Sequence, residues 1–318
     1  MSTLDESFSK LKRYVSSASK AKDKWELLRN IARNDLYFLS KAILGFKDMT
    51  PTFHGPLCRE LDKTVMPYGR RLDLWPRGHL KTHIITMAKS IQDYLKNPEV
   101  RILLAAASID GARKNLGKIK RIFETNTLLH WLFPECIPDY GKDKWAENEV
   151  VLPRRGNHAE PTFKCIGVGG HITGWHFDIV RKDDLIDEKT EKSPEVMEKI
   201  IDWHLLTKNL LESPNTGVDH LIGTRWSMGD LYQFIIDNEK EYTVATIQAI
   251  TKVGTPSWPE RFTIDGLMHL REKDPYNFAC QQMNNPRDEA IVDFNAKWLR
   301  YYDFTDKLDL LIDAGATA

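Results

Sequence analysis

Apolar positions recur every three or four residues from Trp25 to Leu44 (WELLRNIARNDLYFLSKAIL), which sets Leu28, Ile31, Leu36, Leu39 and Ile43 near one face. That spacing predicts one helix, with Gly45 as its stop. Beyond it, short apolar runs alternate with helical stretches. Arg71 to Trp75 (RLDLW), Arg101 to Ala107 (RILLAAA), Phe163 to Val168 (FKCIGV), Phe177 to Val180 and His220 to Gly223 read as buried strands. Helical patterns at Lys81 to Leu95, Ile109 to Glu124, Pro194 to Glu212 and Gly229 to Asn238 fall between most of them. This alternation predicts βαβ units and an α/β fold: a mainly parallel sheet flanked by helices, with ligands at the carboxyl edge of the strands. Around Pro286 to Asp293 (PRDEAIVD) the chain turns loop-like, and Leu308 to Asp313 reads as a new strand. Three segments are therefore expected: a helical one over 1–45, the α/β domain over 46–290, and a linker with a first strand over 291–318.

Composition narrows the partners. Lys+Arg and Asp+Glu both number 45 in the 318 residues, so any nucleic-acid contact must come from a local patch rather than from overall charge. The four cysteines, Cys58, Cys136, Cys165 and Cys280, are too far apart for a zinc or redox motif and are expected as free thiols. The N-terminus has no apolar signal core, and no run approaches the roughly 18 apolar residues of a membrane span, which predicts a soluble, intracellular protein.

Three segments carry candidate chemistry. The first is LWPRGHLKTHII, Leu74 to Ile85, a strand and a tight loop followed by Lys-Thr at a helix start. A phosphate-binding loop needs this order. Backbone N–H groups at a helix N-terminus hold phosphate oxygens, a lysine (here Lys81) adds charge at the β/γ positions, and a hydroxyl (Thr82) holds Mg²⁺. Trp75 and Leu80 stand at the two glycine positions of the usual pattern, so the residues alone also fit a basic turn capping a core helix. The second segment is ITGWHFDIVRKDDLIDE, whose apolar run feeds Asp183 and Asp184. A magnesium NTPase needs one carboxylate for the metal and a second to polarise water, and the pair fits these roles in that order, with Asp187 or Glu188 next in line for the second. A solvated charge run is the other reading. Because Arg181 and Lys182 are ill suited to a buried strand, the strand is expected to end at Val180 or to have an exposed edge. The third is HLIGTRWSMGDLYQFI, in which Thr224 at a strand tip could sense a γ-phosphate and move the next helix, or could simply cap the strand. Lys114, Lys118 and Arg121 form a basic stripe on the helix after Arg101–Ala107, which could follow a DNA backbone or be an ordinary solvated face.

Together these segments, with RILLAAASIDGARKNLGKIKRIFETN, SWPERF and FACQQMNNP, resemble the large terminase subunit of tailed phages from about Asp35 to the end of the chain. The resemblance implies a P-loop NTPase that hydrolyses ATP with Mg²⁺ and drives duplex DNA into a procapsid. It implies a Walker A role for Arg77, Gly78, His79, Leu80, Lys81 and Thr82, a Walker B and catalytic role for Asp183 and Asp184, and coupling through Thr224. Thr52, Phe53 and His54 are the nearest match to the family's adenine-contacting segment. It further implies a homo-oligomeric ring, portal protein and small terminase subunit as partners, no membrane, and the cytoplasm of an infected host cell. Asp313 would stand as the first metal ligand of a truncated RNase H-like nuclease domain.

Two departures bear on activity. Relatives continue the apolar strand to the acidic pair where this chain has Arg181 and Lys182, and they often carry a basic residue near Trp175 that reaches a neighbour's nucleotide. Arg154, Arg155 or Arg181 would then have to supply that charge. The rival readings are a helicase-like translocase and a non-hydrolysing nucleotide-binding scaffold.

Overall fold

The computed structural model describes residues 21–63, 69–190 and 193–286, all within one compact unit that ends at Pro286. The expectations for Leu308–Asp313, including the metal role of Asp313, lie outside the described residues. The N-terminal segment forms two helices instead of one: α1 (Ala21–Asn34) and α2 (Leu36–Phe38), the latter continued by a π-helical turn over Leu39–Ile43. Asp35 makes the break. Its backbone is extended, and its side chain accepts from Phe38 N at 2.8 Å, so it caps a new helix where periodicity alone had continued the old one. Gly45, at φ +78°, ends the segment as expected.

After α3 (His54–Lys63) come β1 (Arg70–Leu74), α4 (a π-helical stretch Thr82–Lys89 running into α-helical Ser90–Lys96), β2 (Ile102–Ala106), α5 (Ile109–Thr125) and α6 (Thr127–Leu132). The chain continues through β3 (Glu149–Val150), β4 (Phe163–Gly167), β5 (Ile179–Asp183), α7 (Pro194–Thr207), β6 (Val218–Gly223), α8 (Leu231–Asn238), β7 (Thr243–Thr246), α9 (Ile264–Lys273) and α10 (Pro275–Gln281). The seven strands form one sheet in the order β3-β4-β2-β5-β6-β1-β7, parallel except for β3. The α/β, mainly parallel fold is thus as predicted. Both faces are covered because successive residues of each inner strand enter opposite cores. In β2, Ile102 and Leu104 pack with α1, α4 and α5, whereas Leu103 and Ala105 pack with α7 and α8.

The expectation for the acidic strand is overturned. β5 does not stop at Val180 and has no exposed edge; it runs to Asp183 between β2 and β6, with all five residues buried. The two cations are neutralised on opposite faces. Arg181 donates to Ile85 O at 2.6 Å and to Asp93 at 2.8 Å, while Lys182 donates to Asp219 at 2.7 Å with His204 Nδ1 at 3.0 Å. Burial alone would raise the Asp219 carboxyl, but the Lys182 ammonium holds it below its ordinary value. Lys182→Met would strand that carboxylate, and removal of one partner of a buried pair costs about 3–5 kcal/mol. Denaturant unfolding is expected to register a loss of this size; a change below about 1 kcal/mol, the range of an exposed pair, would contradict the account.

Candidate functional site

Strand register sets the site. Leu74 lies opposite Gly223, Ile222 opposite Asp183, and Asp183 opposite Ala106, so the connections after β1, β6, β5 and β2 leave the sheet side by side at its carboxyl edge. A cleft of about 500 Å³ opens there, lined by residues of all but the β6 connection, among them Gly78, Lys81, Thr82, Ser108, Asp183 and Asp184.

The β1 strand is a stiff base despite its charges. Asp73 is fully buried, yet hydrogen bonds from His220 (2.7 Å) and Arg71 (2.6 Å) outweigh the burial cost and bring its carboxyl down to about 2. The loop that follows is pinned at Trp75 N to Gly223 O (3.1 Å) and Arg77 N to Gln281 O (3.0 Å). Gly78 has φ +83° and Leu80 φ +63°. Leu80 thus keeps a glycine-like backbone at the position where the usual pattern has glycine, at a cost of order 1–3 kcal/mol that the surrounding structure must hold. Arg77 is not among the residues that line the cleft, and its guanidinium donates to Gln281 Oε1 at 2.9 Å.

Lys81 lies 3.2 Å from Asp184 Oδ2. Thr82 donates to Asp183 Oδ1 at 3.2 Å, and Thr86 (2.8 Å) and Asn115 (3.2 Å) donate to Asp183 Oδ2. The lysine, the hydroxyl and both carboxylates expected from the sequence therefore meet at one point, although β6 separates their strands. Asp184 has φ +45°, a second non-glycine residue in the left-handed region, which turns its side chain out of the strand. Burial, then the Asp184 charge, push the Asp183 carboxyl up to about 6. Asp184 Oδ1 is buried without a hydrogen-bond partner. Two crowded carboxylates, an unsatisfied oxygen and an adjacent hydroxyl are the hard oxygen donors that Mg²⁺ takes.

The raised Asp183 has a sign that can be checked. Its contribution to stability is full below the unfolded carboxyl pKa of about 4 and is lost as pH rises through about 6. In Mg²⁺-free buffer the unfolding midpoint of the wild type should therefore fall over that window relative to Asp183→Asn. Parallel pH profiles would contradict the assignment.

Beside the loop lies an aromatic cluster. Phe53 stacks on Trp258 (5.7 Å, 4°), and His79 stacks on Phe262 (4.7 Å, 10°) while His54 meets Trp258 edge-on. His54 and His79 are buried, and desolvation lowers both to about 4, so they are neutral packing groups at pH 7. Thr52 hydrogen-bonds Glu260.

Thr224 is buried at the tip of β6, between the loop strand and the acidic strand. Gly223 just before it has no room for a side chain, since a Cβ would overlap the Tyr232 hydroxyl of α8. Asn284 ties this region together. It accepts from Arg225 N and donates to Leu74 O and Ile247 O, joining the ends of β6, β1 and β7.

Several assignments change. Arg181 cannot reach a neighbour because it is buried in its pair with Asp93. Arg155 and the loop around Arg154 lie at the amino end of β2, where Glu99 accepts from Arg155 N and Gly156 N, away from this cleft. Trp175 packs under Lys164, whose Nζ is 4.4 Å from the ring centre. Lys114 and Lys118 of the basic stripe line the cleft itself. Asn115, Thr86, Trp258, Phe262 and Arg261 were not foreseen at the site. Only SWPERF, among the quoted segments, signalled the last three.

Among the described residues no helix is long and apolar enough to cross a membrane, no group of three or more His, Cys, Asp or Glu is placed to hold a metal, and the four cysteines are buried and free.

No protein-family profile matches the chain. Its sequence is 28% identical to the terminase large subunit of Enterobacteria phage T3 over 162 residues, which is 50% of this chain and 26% of that relative. The chain therefore matches about a quarter of the relative's length. In structure it is similar to the large terminase of bacteriophage HK97, with a TM-score of 0.52 and 11% identity, covering 80% of this chain and 55% of that one. It is also similar to the large terminase ATPase domain of Thermus phage P74-26, with a TM-score of 0.44 and 14% identity over 77% and 95% of the two chains. The resemblance to phage large terminases read from the sequence is borne out by the sequence match, and the likeness to the HK97 structure shows a shared fold.

Proposed function

We propose that this chain, a relative of phage large terminases, is an ATP-hydrolysing motor that couples turnover of Mg-ATP to movement of duplex DNA into a procapsid. The observation that carries the reading is the meeting of Lys81, Thr82, Asp183 and Asp184 at one cleft on the carboxyl edge of a parallel sheet. In this reading the backbone of the loop from Gly78 to Thr82 cradles the phosphates and Lys81 holds the β/γ charge. On nucleotide binding Lys81 would exchange Asp184 for phosphate, which frees Asp184 to orient and polarise the attacking water. Thr82 and Asp183 would hold Mg²⁺, which when bound neutralises charge developing on the phosphoryl oxygens. Phe53 and His54, on the loop's aromatic side and not among the residues that line the cleft, would have to meet the base from there. Thr224, between the two halves of the site, is suited to pass the state of the γ-phosphate to α8 through the close contact of Gly223 with Tyr232. The whole-protein features, a ring on a portal with a small subunit in an infected host's cytoplasm, are proposed on the same likeness.

A non-hydrolysing scaffold is made plausible by Leu80, Arg181 and Lys182, which depart from the usual motifs. Leu80 holds the loop's left-handed turn, and the other two are consumed in buried pairs, so those grounds fall away.

The test is phosphate release from Mg-ATP across a range of protein concentrations. A ring that completes each site with a neighbour's cation predicts turnover per subunit that rises with concentration. Equal turnover at all concentrations would contradict assembly-dependent hydrolysis.

A further inference from the structure

Among the described residues after β7, Arg261 is the one that lines the cleft together with Lys81 and Asp184. Its guanidinium lies against two rings: the guanidinium carbon is 5.1 Å from the ring centre of Trp258 and 5.9 Å from that of Phe262. Those rings belong to the loop's own packing. Trp258 is buried against Phe53 and His54, Phe262 stacks on His79, and a Cβ at Gly78 would lie 3.3 Å from Phe262 Cζ. Arg261 is therefore mounted on the aromatic side of the phosphate loop and lines the cleft that Asp183 and Asp184 also line.

Its charge is only lightly engaged. Among the described residues its carboxylate partner is Asp48 at 3.5 Å, with side chains 41% and 73% exposed, and an exposed pair of this kind is worth about 0–1 kcal/mol. By contrast Arg71, Arg101, Arg181 and Arg225 are buried and held by carboxylates at 3.0 Å or less. Lys118 of α5, exposed, lines the same cleft. The cleft lining thus carries Lys118 as well as Arg261, and a guanidinium presents a fixed fork of donors that matches two phosphate oxygens.

We propose that Arg261 binds the α- or β-phosphate of the nucleotide in cis, exchanging Asp48 for the phosphate when a nucleoside triphosphate enters the cleft. The assignment rests on the nucleotide-binding reading of the site. Because Arg261 sits on the aromatic side, its contact is made equally to the di- and triphosphate. It is a binding contact rather than a transition-state one, so its loss raises KM and leaves kcat nearly unchanged.

The experiment titrates Mg-ATP and Mg-ADP into the full chain and follows phosphate release in parallel, for the wild type and for Arg261→Ala, Arg261→Met, Arg261→Lys and Asp48→Asn. Arg261→Met keeps an unbranched apolar side chain and removes the guanidinium. The alanine and methionine variants should bind both nucleotides about 10- to 100-fold more weakly, the range of a lost charge-assisted hydrogen bond, with kcat within a few-fold. Arg261→Lys should recover part of the loss, and Asp48→Asn should bind as well as the wild type or better. Wild-type affinity in Arg261→Met would overturn the assignment, and a loss confined to ATP would overturn its placement away from the γ-phosphate. Wild-type protein that binds neither nucleotide would overturn the nucleotide reading and this assignment with it.

Discussion

Lys81→Ala is expected to lower ATP turnover by about 10²–10³-fold, the usual effect of removing one preorganised charge from a phosphate or oxyanion site. Lys81 is buried and its ion partner is Asp184, so the variant removes the cation at the centre of the cleft but none of the apolar core. Its unfolding midpoint should accordingly stay close to that of the wild type. The two readouts together decide the case: phosphate release falls while the folded state persists. Turnover within a few-fold of the wild type would mean that the loop holds no phosphate, and the basic-turn reading of PRGHLKT would then be the correct one.

Asp184→Asn is expected to bind ATP and scarcely cleave it, with a loss of about 10²–10⁴-fold in turnover, as for removal of a general base. Asparagine tolerates the left-handed backbone found at this position, φ +45°, so the strand end is kept. The substitution also removes the charge that helps raise Asp183, and nucleotide affinity should be retained or improved. A normal rate would move the catalytic carboxylate elsewhere. Asp187 is poorly placed to take over because its carboxylate already accepts from Lys189 N and Thr190 N, closing a turn.

The alternation of strands and helices, the carboxyl-edge site and the meeting of Lys81, Thr82, Asp183 and Asp184 were legible because each depends on local pattern and chain order. What was hidden depends on partners far along the chain. Arg181 and Lys182 look wrong for a central strand until Asp93 and Asp219 are brought beside them. Lys114 and Lys118 look like a DNA-tracking stripe until α5 is seen to form a wall of the cleft. β7 has three exposed residues and no apolar run, so it pairs with β1 without a sequence signal. The helix expected over Trp25 to Leu44 failed at one residue, Asp35, whose capping side chain outweighed a continuous periodicity.

The central claim is that one cleft holds a nucleotide and cleaves it, and single-turnover release of phosphate from ATP tests it most directly. Purified wild-type protein is mixed with sub-stoichiometric ATP in the presence and absence of Mg²⁺. The account predicts Mg²⁺-dependent release that disappears in both Lys81→Ala and Asp184→Asn. Release that persists in either variant, or wild-type protein that binds ATP with Mg²⁺ and never releases phosphate, would contradict it.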